Sequence, residues 1–166
     1  MKFKDAYFAG GCFWRIASYI DSLPGVKKVI CGYSGGKVKN PTYEEVKSQT
    51  TFHRETIKIV YDEEIISYQE LLKVFLESVD PFDDGGQFID RGYSYTLAIY
   101  YDDESEKEEA IKLIKAIEVK NNKKTYIALE KFNEFYEAED YHQDYHIKNK
   151  EAFEKEMVVS GRKKKV

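Results

Sequence analysis

Cys12, in Gly10-Gly11-Cys12-Phe13-Trp14, is the side chain best placed for chemistry. It follows the apolar run Ala6-Tyr7-Phe8-Ala9 and precedes a helical pattern, so it falls at a strand-to-helix junction, where free backbone N–H groups and the helix dipole favour a thiolate. A thiol at its reference pKa of about 8.5 is only a few per cent ionised at pH 7, and a value near 7 makes roughly half of it nucleophilic. The paired glycines permit a tight turn and the close approach of a ligand. Phe13 and Trp14 are adjacent at a helix start and point in different directions, which puts at least one of them on a surface or pocket wall. The alternative is that Cys12 is a small hydrophobe buried between strand and helix.

A nucleophile that expels a poor leaving group needs an acid. Glu55, in Thr51-Phe52-His53-Arg54-Glu55, opens a predicted strand. Held in an apolar pocket, its pKa rises and it donates a proton near neutral pH; left at an edge, it pairs with Arg54 or a lysine. Tyr33 and Tyr95 either aim phenolic O–H groups at a polar substrate atom or are half-buried strand residues. Asp90 lies in a glycine-bearing loop and serves either a ligand or a turn. His142 and His146 are spaced like a zincin pair, but Gln143 stands where that motif needs its glutamate. His53-Arg54-Glu55 has the H-x-E half of a zinc deaminase without the Pro-Cys-x-x-Cys that must accompany it. No metal site is expected.

The elements that must position these groups alternate. Strands are predicted from Met1 to Ala9, Val26 to Tyr33, Glu55 to Tyr61 and Tyr95 to Tyr101. Helices are predicted over Cys12 to Ser22, Ser67 to Val79 and Ser105 to Glu118, with a short start at Thr42, where Glu45 completes a capping box. Leu71, Leu72, Phe75 and Leu76 form an apolar stripe at helical spacing. Asp80 to Gly92 reads as a loop, and the chain after Tyr126 as strand or extended chain followed by helix. The order strand-helix-strand, strand-helix-strand predicts an α+β protein with a ferredoxin-like split βαβ sheet, helices packed on it and a C-terminal extension.

A chain of 166 residues with 42% hydrophobic and 34% charged residues can bury one core. One catalytic domain over 1–155 is expected, with 156–166 as a basic, disordered tail. A formal charge of −4 argues against nucleic acid as a partner, and no segment is long enough to span a membrane. Two cysteines argue for a reducing compartment, with the cytoplasm as the default.

Together the segments resemble the peptide methionine sulfoxide reductase A family. Gly11-Cys12-Phe13-Trp14 resembles its signature, Gly32-Tyr33-Ser34-Gly35-Gly36 its second motif and Asn40-Pro41-Thr42-Tyr43-Glu44-Glu45-Val46 its third. His53 with Glu55 resembles the family's Gly-His-Ala-Glu segment, and Asp90-Arg91-Gly92-Tyr93-Ser94-Tyr95 its Asp-x-Gly-x-Gln-Tyr. Ala138-Glu139-Asp140-Tyr141-His142-Gln143 matches its late segment, so the resemblance runs in order from about Phe8 to Tyr145. It implies reduction of methionine-S-sulfoxide, free or in oxidised proteins, with Cys12 attacking the sulfoxide sulfur and becoming a sulfenic acid. It further implies that Phe13 and Trp14 hold the substrate methyl group and that Asp90 helps hold the substrate backbone. Glu55 would supply the proton, assisted by Tyr33 and Tyr95.

The chain departs from the family pattern in ways that bear on turnover. Many members carry resolving cysteines near the C-terminus, but none follows Cys31 here. One-Cys turnover is therefore expected, with no bound cofactor and with glutaredoxin and glutathione, thioredoxin or another external thiol attacking Cys12 directly. Cys31 is either an internal resolver or a structural residue buried in its strand. Arg15 replaces a more usual small residue, Phe52 a glycine, and Ser94 and Thr96 the usual Gln and Arg. A monomer is expected. A thiol peroxidase and a non-catalytic peptide-binding module are the alternatives, and assay of methionyl sulfoxide with dithiothreitol separates them.

Overall fold

The computed structural model describes residues 1–159. β1 (Phe3–Gly10) lies at the centre of the sheet, and its last five residues are buried. It pairs antiparallel with β3 (Arg54–Asp62) from Phe3↔Asp62 to Phe8↔Ile57. On its other side it pairs antiparallel with β6 (Leu97–Tyr101), from Tyr7↔Tyr100 to Gly10↔Leu97. β2 (Val26–Ser34) runs antiparallel along the far side of β3, and this register sets Tyr33 opposite Glu55. The order β6-β1-β3-β2 interleaves two strand-helix-strand units. α1 (Phe13–Ile20) carries the chain from β1 to β2, and α3 (Tyr68–Glu77) carries it from β3 to β6.

Both helices lie over one face of the sheet. Ile16, Ile20, Leu72 and Phe75 of the helices join Ala6, Phe8, Ile57 and Ile59 of the strands in the main core. The capping box predicted at Thr42 forms as hydrogen bonds, and a second forms at Ser67. Thr42 caps α2 (Tyr43–Lys47) and Ser67 caps α3, each in a reciprocal box with the glutamate at N3. Local patterns of this kind are readable because both partners lie within one turn of chain.

Longer-range pairing produced several differences from expectation. The segment 80–92 is not all loop: β4 (Gly86–Gln87) and β5 (Asp90–Arg91) form a small hairpin. Tyr95 does not open a strand but ends a 3-10 turn, Tyr93–Tyr95. α4 (Glu104–Asn121) begins one residue earlier and ends three residues later than predicted, closing on Asn122 in the left-handed conformation. Beyond it, β7 (Ile127–Lys131) pairs parallel with β6, and β8 (Phe135–Glu137) pairs antiparallel with β2. These strands sit at opposite edges of the six-stranded sheet, yet only residues 132–134 join them. A link of that length reaches about 15 Å, less than the roughly 24 Å across a flat sheet, so the sheet is curled. Phe132, on the link, stacks on Tyr7 of the face turned away from α1 and α3, with ring centroids 3.9 Å apart.

His142 and His146 do not share a helix face. His142 ends a 3-10 turn, Asp140–His142, whereas His146 lies in α5 (Tyr145–Lys148), and Asp144 between them has a φ of 54°. α6 (Lys150–Val159) carries the ordered body past the expected boundary at 155, and its Met157 is buried. The rest of the expected basic tail, 160–166, lies outside the described residues. No helix among the described residues is long and apolar enough to cross a membrane.

Candidate active site

β1 ends at Gly10, Gly11 turns the chain with a φ of 89°, and Cys12 becomes the N-cap of α1. Its carbonyl accepts the N–H groups of Arg15 at 3.1 Å and Ile16 at 3.2 Å, so the residue is fixed to the first turn. β3 brings Glu55 to the same point: its Oε1 accepts the N–H of Phe13 at 3.1 Å. Glu55 is 2% exposed, which excludes the exposed edge-strand reading. Burial pushes its pKa up to about 8, against the pull of the Phe13 N–H, so the carboxyl group is largely protonated at pH 7.

Cys12 differs from the expectation of a lowered pKa. It is 7% exposed, and burial first, then the charge of Glu55, push the thiol up to about 12. Arg15 opposes this through its charge and its backbone N–H. The helix terminus acts as expected, but loss of water outweighs it. The substrate-free site therefore holds a thiol beside a carboxylic acid.

Two tyrosines meet this pair, and one of them is not the residue expected. Tyr95 is half-buried, and burial followed by the charge of Glu55 raises its pKa. The second is Tyr43, at the first position of α2, whose phenol hydrogen-bonds Tyr95 and whose pKa is pushed up to about 12 by burial and then by the charge of Glu55. Tyr33 is fully buried and its hydroxyl donates to Glu139 Oε1 at 2.9 Å, so it aims no hydroxyl at a substrate. The other oxygen of Glu139 accepts the Tyr43 N–H at 3.0 Å. Tyr33 thus positions the start of α2 through Glu139, and Tyr43 takes the place at the site. Tyr43 stood inside a recognised motif, but its nearness to Glu55 depends on how α2 packs.

Aromatic rings form the remaining wall. His142 lies between Phe13, at 5.2 Å between ring centroids, and Tyr43, at 4.3 Å. Its Nδ1 accepts from Trp14 Nε1 at 3.1 Å, and burial lowers its pKa. Trp14 stacks on Tyr145 of α5 at 3.8 Å. Asp90, on β5, is ion-paired with Arg15. Glu139 and His142 stood in the late family segment and Tyr145 at its end, but the sequence assigned none of them a place at the site.

The other candidates serve the scaffold. Both backbone groups of Cys31 are held by the Gln143 amide, at 2.8 and 2.9 Å, and its buried thiol is raised well above its ordinary value by burial. His53 accepts the Gly36 N–H at 3.0 Å, and its Nε2 lies 2.7 Å from the Val38 carbonyl oxygen. His146 meets Asp21 at 2.5 Å. Among the described residues no group of His, Cys, Asp and Glu is arranged to hold a metal ion.

Fold and site together are those of an oxidoreductase with a buried thiol beside a buried carboxyl group. The chain belongs to the peptide methionine sulfoxide reductase family, whose model matches residues 4–166. It is 45% identical to a peptide methionine sulfoxide reductase MsrA of Bacillus velezensis over 163 residues, covering 97% of this chain and 92% of that protein. Among solved structures it is similar to methionine sulfoxide reductase A of Corynebacterium diphtheriae, with a TM-score of 0.81 and 28% identity, over 89% of this chain and 76% of that one. Mxr1 of Saccharomyces cerevisiae in complex with Trx2 shares the fold at a TM-score of 0.59 and 18% identity, over 87% of this chain and 85% of that one.

Proposed function

We propose that the protein reduces methionine-S-sulfoxide, free or in oxidised proteins, with Cys12 as nucleophile and Glu55 as acid. The observation that carries this reading is the carboxyl group of Glu55, buried, held at the start of α1 by the Phe13 N–H and protonated near neutral pH. Sulfoxide oxygen is a poor leaving group unless it is protonated as the sulfur is attacked. In the step itself the Cys12 sulfur attacks the sulfoxide sulfur, Glu55 gives a proton to the oxygen, and the thiol proton returns to Glu55. The S–S bond made by this attack and the substrate S–O bond both break as an S–O bond forms on Cys12, and the products are methionine and a Cys12 sulfenic acid. Tyr43 and Tyr95 are the hydroxyls available to the same oxygen. Phe13 and Trp14 would receive the methyl group, and Asp90 would help hold the substrate backbone.

Reduction of the sulfenic acid falls to an external thiol. The complex of Mxr1 with Trx2 supports a thioredoxin in this role, with glutaredoxin and glutathione as the other candidate. The strand-locked backbone of Cys31 supports one-Cys turnover rather than an internal disulfide. Two free cysteines suit a reducing compartment such as the cytoplasm, and a monomer is sufficient for the site described.

Single-turnover reduction of methionine-S-sulfoxide, followed by mass spectrometry, tests the reading. One oxygen added to the Cys12 peptide and loss of all turnover in Cys12→Ala are expected. A Cys12–Cys31 disulfide would defeat one-Cys turnover, and an active Cys12→Ala protein would defeat the function. Preferential consumption of peroxide would assign a thiol peroxidase instead, and no turnover of either substrate a binding module.

A further inference from the structure

Phe52 is a large apolar side chain held out into water. It is 50% exposed although Thr51 and His53 on either side are buried, and its φ of 62° lies in the left-handed region, which a non-glycine residue enters only at a cost. The neighbouring backbone fixes it there: the Thr51 carbonyl accepts the Lys37 N–H at 2.9 Å, and Thr51 Oγ1 accepts the His53 N–H at 3.2 Å. Its ring meets that of Tyr93 edge to face at 5.9 Å, and Tyr93 is itself 39% exposed. Lys37 and Arg54 lie against these rings, Nζ at 5.2 Å from the Phe52 centroid and Cζ at 4.7 Å from that of Tyr93. An aromatic pair braced in this way and still open to solvent offers contact to another apolar group.

Chain connectivity keeps the pair close to the reacting groups. Phe52 stands three residues before Glu55 and Tyr93 two before Tyr95, so their Cα atoms lie within about 10 Å and about 7 Å of those residues. Gln49 ties the two stretches together: its Oε1 accepts the Ser94 N–H and its Nε2 donates to Ser94 Oγ, both at 2.9 Å. A peptide running out from the site covers such a distance in about three residues. We propose that Phe52 and Tyr93 form a specificity platform for oxidised proteins, receiving an aromatic or large apolar side chain within about three residues of the methionine sulfoxide. The proposal rests on the protein being a methionine sulfoxide reductase, and deepens that reading by naming the substrate class: sulfoxides in apolar protein segments, ahead of the free amino acid.

The platform is ordered before any substrate arrives. The Thr51 and Gln49 hydrogen bonds hold both rings to the site, so little freedom is lost when a third ring joins them. The contact is made outside the reacting atoms and is the same before and during the chemical step, which places its effect in KM rather than in kcat. Free methionine sulfoxide has no neighbouring residue to engage it.

The test is steady-state reduction, with dithiothreitol, of a glycine peptide bearing a central methionine-S-sulfoxide, against peptides in which phenylalanine takes each glycine position in turn. In the wild type at least one phenylalanine peptide should show a KM about fivefold below that of the glycine peptide, the worth of one aromatic contact, with kcat little changed. Phe52→Gly should abolish that difference and leave the kinetics of free methionine sulfoxide as they were. Glycine takes the left-handed conformation without cost, so this variant keeps the fold. Phe52→Tyr, which restores a ring, should restore the preference, an outcome a merely structural role would not give. Equal KM for every peptide in the wild type overturns the proposal without recourse to any variant, and so does a preference that survives Phe52→Gly. Failure to reduce any methionine sulfoxide would defeat the function itself, whereas reduction of all the peptides with one KM defeats only the platform.

Discussion

Glu55 sits on a buried stretch of β3, where among the described residues a single hydrogen bond, from the Phe13 N–H, offsets the water it has lost. A positioned general acid contributes about 100- to 10,000-fold to rate, so Glu55→Gln should slow the single-turnover chemical step at least about 100-fold with little change in KM. In the wild type that step should also slow as pH rises through about 8, where the acid is lost. The same carboxyl group works against stability. Its pKa rises from 4.5 in the ordinary state to about 8 on folding, so over that interval the folded protein binds a proton that the unfolded chain has released. Stability therefore falls as pH increases from near 4.5 to near 8. Urea denaturation should find Glu55→Gln more stable than wild type by a few kcal/mol at pH 8, and nearly unchanged below pH 4.5.

At the scale of the element, helix starts deliver the site. Cys12 caps α1, and Tyr43 is the first residue of α2, immediately after the Thr42 cap. Thr42 Oγ1 accepts the Glu45 N–H at 3.2 Å, and Glu45 Oε1 accepts the Thr42 N–H at 2.8 Å. Loss of such a cap costs about 1 kcal/mol. Thr42→Ala should lower the unfolding free energy measured in urea by that amount and also slow sulfoxide reduction, because the freed turn carries the Tyr43 phenol. The equivalent substitution at Ser67, which caps α3 away from the site, should give a similar loss of stability without the loss of rate.

For the molecule as a whole, the last part of the chain closes over the first. Gln143 clamps Cys31, Tyr145 stacks on Trp14 and Glu156 reaches Arg15, so the segment from Ala138 to Met157 is stitched to α1 and β2. Gln143→Ala removes the acceptor of the Cys31 N–H and the donor to the carbonyls of Cys31 and Ala138. Leaving the buried Cys31 N–H unpaired should cost about 1–3 kcal/mol, while the Cys31 carbonyl keeps the Ala138 N–H. Amide exchange should become faster across 138–159 while the centre of the sheet keeps its protection, and uniform exchange across the chain would contradict this division.

The sequence by itself determined the succession of the main strands and helices, the capping box at Thr42 and the place of Cys12 at the start of α1. Each depends on partners within a few residues of one another, where chain connectivity holds them together. Tertiary structure decided the rest. The contact between Phe13 and Glu55 spans 42 residues, and that between Tyr33 and Glu139 spans 106. Nothing local distinguished Tyr43 from Tyr33 as the phenol at the site, or foretold that β7 and β8 would extend a curled sheet at both edges. The proton on Cys12 was likewise hidden, because ionisation answers to the water excluded by the whole fold as much as to the helix terminus beneath the sulfur.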